Sequence, residues 1–147
     1  MIRTEREHRD ALKRLQEDTR IIRKQREQMK SFGLKEAQIK KSMEPLISFH
    51  LQLKEEVEWY KQVKTGRFKP LKSIDQIGLL LIGVRIRSGL SQKQLAERLS
   101  VSEAVVSRDE KNEYHGITVD RAQKILNAMQ VSIQISPKNI GKILLNV

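Results

Sequence analysis

The chain of 147 residues carries 29 Lys and Arg against 18 Asp and Glu, a net charge of +11 with a pI near 10.1, and contains no cysteine. A balance this basic points to a polyanionic partner, because cationic side chains release the counterions condensed on nucleic acid. Without cysteine there is neither a disulfide framework nor a thiolate metal site, and the cytoplasm is the expected compartment.

Charge alone does not locate the partner's site, since 16 basic and 11 acidic residues fall in 1–64 and 13 and 7 in 65–147. The opening residues Met1–His8 are charged where a signal peptide would be apolar. The longest apolar run, Leu79–Val84, is far too short to span a bilayer, so no membrane partner is expected.

Leu12, Leu15, Thr19, Ile22, Arg26 and Met29 recur in steps of three and four, which predicts one long amphipathic helix from about Thr4 to Ser31. Ser31-Phe32-Gly33 breaks it, and a second run follows through Met43, Leu46, His50, Leu53, Val57 and Tyr60. Pro45 belongs in a first turn after Ser42, or else kinks a longer helix. Neither thin stripe can be buried by itself, so residues 1–64 are expected to form a helical hairpin or coiled-coil arm that meets a partner or a second copy. Thr65-Gly66 and Lys69-Pro70 punctuate a linker at 65–72.

Beyond the linker, Ser73 with Gln76 has the form of a capping box, and Ile74, Ile77, Leu80, Leu81 and Val84 supply a buried face that Gly89 ends. Ser91 with Gln94 repeats the box and predicts a helix from about Gln92 to Leu99. Ser102 caps the next, from about Glu103 to Lys111, which leaves Ser100 and Val101 as a compact corner. Leu95, Ala96, Leu99, Val101 and Val106 stand at the offsets that two short helices crossing steeply require. Thr118 caps a last helix whose Val119, Ala122, Ile125, Leu126 and Met129 face that pair. Ser132–Ile135 alternates as a short strand, ended by Pro137 and able to pair with its copy in a second subunit. Ile143, Leu144, Leu145 and Val147 form an apolar tail, so that residues 73–147 make one domain. The expected class is all-α, a hairpin or coiled-coil arm followed by a compact helical bundle with a short C-terminal strand.

No catalytic spacing emerges. The three histidines, His8, His50 and His115, fall in different elements, and no nucleophile–base, metal-ligand or phosphate-loop pattern occurs, so neither an enzyme nor a cofactor or metal is expected. Tyr114 reads as a loop tyrosine touching phosphate rather than as a nucleophile.

Gln92, Leu95, Ala96, Leu99, Val101, Ser102, Val106, Ser107, Arg108 and Glu110 together resemble the Xre or Cro/C1-type helix-turn-helix family of phage and bacterial repressors, over about Gln76 to Met129. Three departures stand out: Ser100 where the family's turn residue is glycine, Asp109 where it is apolar, and a loop from Asn112 to Ile117 that is one residue longer. The resemblance implies that the second helix of the pair enters the major groove of double-stranded DNA. Glu103, Ala104, Ser107 and Arg108 are then the candidate base contacts, with Arg108 able to bond guanine O6 and N7, Glu103 cytosine N4 and Ala104 a thymine methyl. Gln92, by the same resemblance, contacts phosphate, with Ser102, Lys93, Lys111 and Asn112 around it. The resemblance also implies a structural ion pair between Arg85 and Glu110. Because one such unit reads few base pairs, a homodimer on an inverted repeat is expected. The resemblance equally allows an antitoxin-type protein whose helical arm neutralises a partner protein while the helix-turn-helix represses the shared operon.

Overall fold

The computed structural model of the chain is described over residues 1–136. Six α-helices appear among them, α1 (Glu5–Ser31), α2 (Glu36–Lys64), α3 (Ile77–Arg87), α4 (Gln92–Leu99), α5 (Glu103–Lys111) and α6 (Val119–Ala128), with a single 3-10 turn at Ile74–Gln76.

The hairpin begins at a reciprocal cap: Thr4 Oγ1 accepts from the Glu7 amide at 3.2 Å, and the Glu7 carboxylate accepts from the Thr4 amide at 3.1 Å. Gly33, at φ +77, supplies the left-handed residue that turns the chain after α1. At one end Glu5 meets Lys64, and at the other Arg26 meets Glu36, so the two helices run antiparallel. α2 is longer than a start at Pro45 would allow; it begins at Glu36 and continues through that proline.

The base of the hairpin and the following bundle share one core. Ile2, Val57, Tyr60 and Val63 belong to the same buried cluster as Leu81, Ile82, Leu95, Val106, Ile125 and Leu126. Close approach is permitted by two glycines of α3: a Cβ on Gly83 would lie 2.9 Å from the Phe68 ring, and one on Gly78 only 1.8 Å from the Glu113 carbonyl oxygen. Farther out, the hairpin buries Ile39 and Met43 between its own helices.

Several expectations are corrected. Ser73 makes no side-chain cap; a 3-10 turn intervenes, α3 starts only at Ile77, and Ile74 projects into solvent at 65% exposure. Val119, in the first turn of α6, is likewise 77% exposed, and the contact of that turn with α5 is made by Arg121 instead. No strand is present among the described residues: Ser132–Ile135 lacks the neighbouring edge that its alternation would need, Ile133 leans on the core and Ile135 is exposed. The apolar tail Ile143–Val147 and Pro137 lie outside the described residues.

Candidate nucleic-acid interface

The α4–α5 corner is built from its caps inward. Ser91 Oγ accepts from the Gln94 amide at 3.1 Å, and the Gln94 side chain accepts from the Ser91 amide at 2.8 Å, which starts α4. Ser100 ends it in the left-handed region, at φ 55 and ψ 41, so the corner forms with a Cβ at the position where glycine would be unstrained. Leu95, Ala96 and Val106 close the angle from within.

α5 has a buried side and an open side. Val106 and Glu110 face the interior, while Glu103, Ala104, Arg108 and Lys111 are exposed and Ser107 is half-buried. Four of these five lie within two turns of the helix's N-terminal end, the part that can enter a major groove. Lys93, Ser102 and Asn112 are also exposed, and the Ser102 hydroxyl makes no cap bond.

The orientation of α5 is held by a buried charge pair. Arg85 is 3% exposed and Glu110 fully buried. The guanidinium grips the carboxylate in two places, Nε to Oε1 and Nη2 to Oε2, the second at 2.7 Å. Arg85 also donates to the carbonyls of Leu90, at 2.8 Å, and Arg3, at 2.9 Å. Gln92 completes the network by donating its amide to Glu110 Oε2 at 2.8 Å. Four of the five guanidinium N–H donors and both carboxylate oxygens thereby have partners, which is what a desolvated pair needs. Gln92 is thus occupied on its inner side, which leaves one side-chain amide hydrogen and, at the first position of α4, its backbone N–H for a phosphate.

Asp109 and the longer loop also find their place. Asp109 turns toward α6 and receives an Arg121 hydrogen bond at 2.6 Å, so an ion pair occupies the edge where the family has an apolar anchor. In the loop, Glu113 and Tyr114 both adopt φ 52. That turn carries Tyr114 into the core, at 6% exposure, and burial with Glu110 nearby raises its hydroxyl well above the usual tyrosine range. Tyr114 is therefore a packing residue, and the expected phosphate contact at that position is withdrawn.

Residues 83–136 match the helix-turn-helix family model. This segment is a Cro/C1-type, Xre-like helix-turn-helix domain. The family is one of DNA-binding regulators, which supports DNA binding by this segment of the chain. No curated protein and no solved structure compared with the chain matches it. Among the described residues no helix is long and apolar enough to cross a membrane.

Around the helix-turn-helix, two neighbours of α5 escaped the sequence. Arg3 Nη1 reaches the carbonyl of Ser107 at 3.4 Å, and Arg121 reaches Asp109. For Arg121 a signal existed, since an acidic residue at an interior position of α5 calls for a cation on the facing helix. For Arg3, one of many arginines in the first helical segment, there was none.

Proposed function

We propose that the chain is a dimeric transcriptional repressor that reads an inverted-repeat operator through the major groove. The observation that carries this reading is the open face of α5: Glu103, Ala104 and Arg108 stand free while the back of the same helix is locked by the Arg85–Glu110 pair. A fixed backbone with free side chains suits base reading, because discrimination requires donors and acceptors held at one position relative to the base edges. Arg108 is assigned to guanine O6 and N7, Glu103 to cytosine N4, Ala104 to a thymine methyl and Ser107 to a neighbouring base edge. Lys93, Ser102, Lys111, Asn112 and the outward amide hydrogen of Gln92 hold phosphate.

Binding to the DNA upstream of the coding region, compared with a scrambled duplex at about 150 mM salt, tests the reading. A preference of roughly a thousandfold or more for the upstream duplex, lost in Arg108→Ala, is expected. Equal affinity for both duplexes refutes it.

A second reading has one observation in its favour. The hairpin exposes Phe32, Phe49 and Leu51, at 79%, 69% and 51%, more apolar surface than a solvated arm needs. An antitoxin-type role, in which this arm holds a partner protein while the helix-turn-helix controls the shared operon, predicts a partner that co-purifies with the full chain and is lost from Phe32→Ser/Phe49→Ser.

A further inference from the structure

Among the six acidic residues of α1, Asp10, Glu17 and Glu27 are exposed and the other three are turned to partners. Glu5 is engaged with Lys64 and Tyr60, Glu7 with Arg3, and Asp18 with Arg14. Arg6, Arg9, Lys13, Arg20 and Lys24 are all exposed, at spacings of three, four, seven and four that keep them on one side of a helix. Among the described residues, Arg9, Lys13, Arg20 and Lys24 make no ion pair, and Arg6 reaches only Asp10, at 4.0 Å. Gln16 and Glu17 interrupt the row and Glu27 ends it.

This row begins beside the reading helix. Arg3, immediately before the Thr4 cap, donates to the Ser107 carbonyl of α5, and its own carbonyl accepts from Arg85. From Arg6 to Lys24 the row extends ~27 Å at the rise of an α-helix, the axial length of roughly eight base pairs of duplex. The opposite side of α1 holds Ala11, Leu15 and Ile22 against α2, so the basic side stays outward when the hairpin is formed.

We propose that the outward row of α1 is a second DNA contact, lying on the phosphate backbone that flanks the segment read by α5. Its placement rests on the regulator reading, but its chemistry does not: the row recognises the regular spacing of phosphates and carries no sequence information. Four cations facing solvent without an ion-pair partner, and Arg6 held only at 4.0 Å by Asp10, have counterions to exchange for phosphates, whereas a tightly paired surface would have little to gain.

The test compares two full-length variants with wild type on a random-sequence duplex of about 30 base pairs across a salt series. In Arg9→Gln/Lys13→Gln/Arg20→Gln the slope of log affinity against log salt is expected to fall by about 2 to 3, one phosphate contact per residue. In Lys40→Gln/Lys41→Gln/Lys54→Gln, which removes the same charge from exposed positions of α2, it is expected to stay near the wild-type value. A slope reduction no larger in the α1 variant than in the α2 variant overturns the proposal. The Arg108→Ala variant separates the two readings: if wild type shows no sequence preference for Arg108→Ala to remove, the operator reading fails, while the slope comparison still decides the row. All the replaced side chains are exposed and glutamine is a good helix former, so helicity is expected to be unchanged.

Discussion

Replacing Glu110 with glutamine keeps the side chain's shape and removes its charge, which leaves the buried Arg85 guanidinium without an anion. Stripping a buried ion of its partner costs ~3–5 kcal/mol, a large share of the roughly 5–15 kcal/mol that holds a domain folded. Arg85 keeps its bonds to the Leu90 and Arg3 carbonyls at 2.8 and 2.9 Å, neutral acceptors that still stabilise the cation, so the lower end, ~3 kcal/mol, is expected. For a chain of this size each kcal/mol moves the melting midpoint by about 2–4 °C, which gives a fall of roughly 6–12 °C. Urea and thermal unfolding followed by helical circular dichroism measure both quantities. The double variant Arg85→Met/Glu110→Leu is expected to recover most of the loss, because it leaves no unpaired charge. A loss under ~1 kcal/mol in Glu110→Gln, or a double variant worse than the single, would refute the view that α5 is held by a desolvated pair.

Three further outcomes follow from local geometry. Ser100→Gly relieves a left-handed residue worth about 1–2 kcal/mol and gives back ~0.5–1 kcal/mol of unfolded-chain freedom, so a net gain of ~0.5–1 kcal/mol is expected as a higher urea midpoint at unchanged slope; a loss would contradict the strain argument. Gly78→Ala drives a Cβ into the Glu113 carbonyl and should cost ~3 kcal/mol or more, at the upper end for overpacking, whereas wild-type stability would mean that α3 and the loop separate freely. His8 stacks on Tyr60 at 4.7 Å with its Nε2 unpartnered; burial lowers its pKa below the usual 6.5, with Glu5 opposing and Lys61 and Lys64 adding to the shift. The unfolded chain therefore takes up the proton first, and the stabilising contribution, complete above about pH 6.5, is lost as the pH falls toward the lower folded value. His8→Phe keeps the stack without titrating, so its stability relative to wild type should rise between about pH 7 and pH 5, and a pH-independent difference would remove His8 as the cause.

What could be read in the sequence was what is decided locally. The caps at Ser91 and Thr118 need only residues within one turn, and both side chains accept from the expected amides, whereas Ser73 and Ser102, read by the same rule, make no cap bond. The bounds of α4 and α5 follow from the same logic, because the corner is too short to hold anything else. Periodicity was less informative at helix ends: it assigned Ile74 and Val119 to buried faces, and both are exposed, Ile74 in the 3-10 turn before α3 and Val119 in the first turn of α6. Alternation in Ser132–Ile135 described the two faces of a strand without supplying an edge for it to join. Tyr114 was misread because two consecutive left-handed residues reverse the direction of a loop side chain, and neither Glu113 nor Tyr114 is of a type that announces that conformation.

The consequence that no local rule could supply is the joining of arm and reading helix at Arg85. One guanidinium binds the carboxylate of α5, the Leu90 carbonyl after α3 and the Arg3 carbonyl just before α1. Apolar contacts alone tolerate small slides, whereas a bidentate pair sets both the separation and the plane of its partners. With Val57, Tyr60 and Val63 of α2 packed in the same core, the arm meets the reading helix through a rigid joint rather than across a free linker. On the proposed reading, the side chains on α5 and the basic row on α1 are then presented to a duplex at one fixed angle. Binding along the row then costs little additional ordering once α5 is seated, because the entropy of orienting the two surfaces has already been lost in folding.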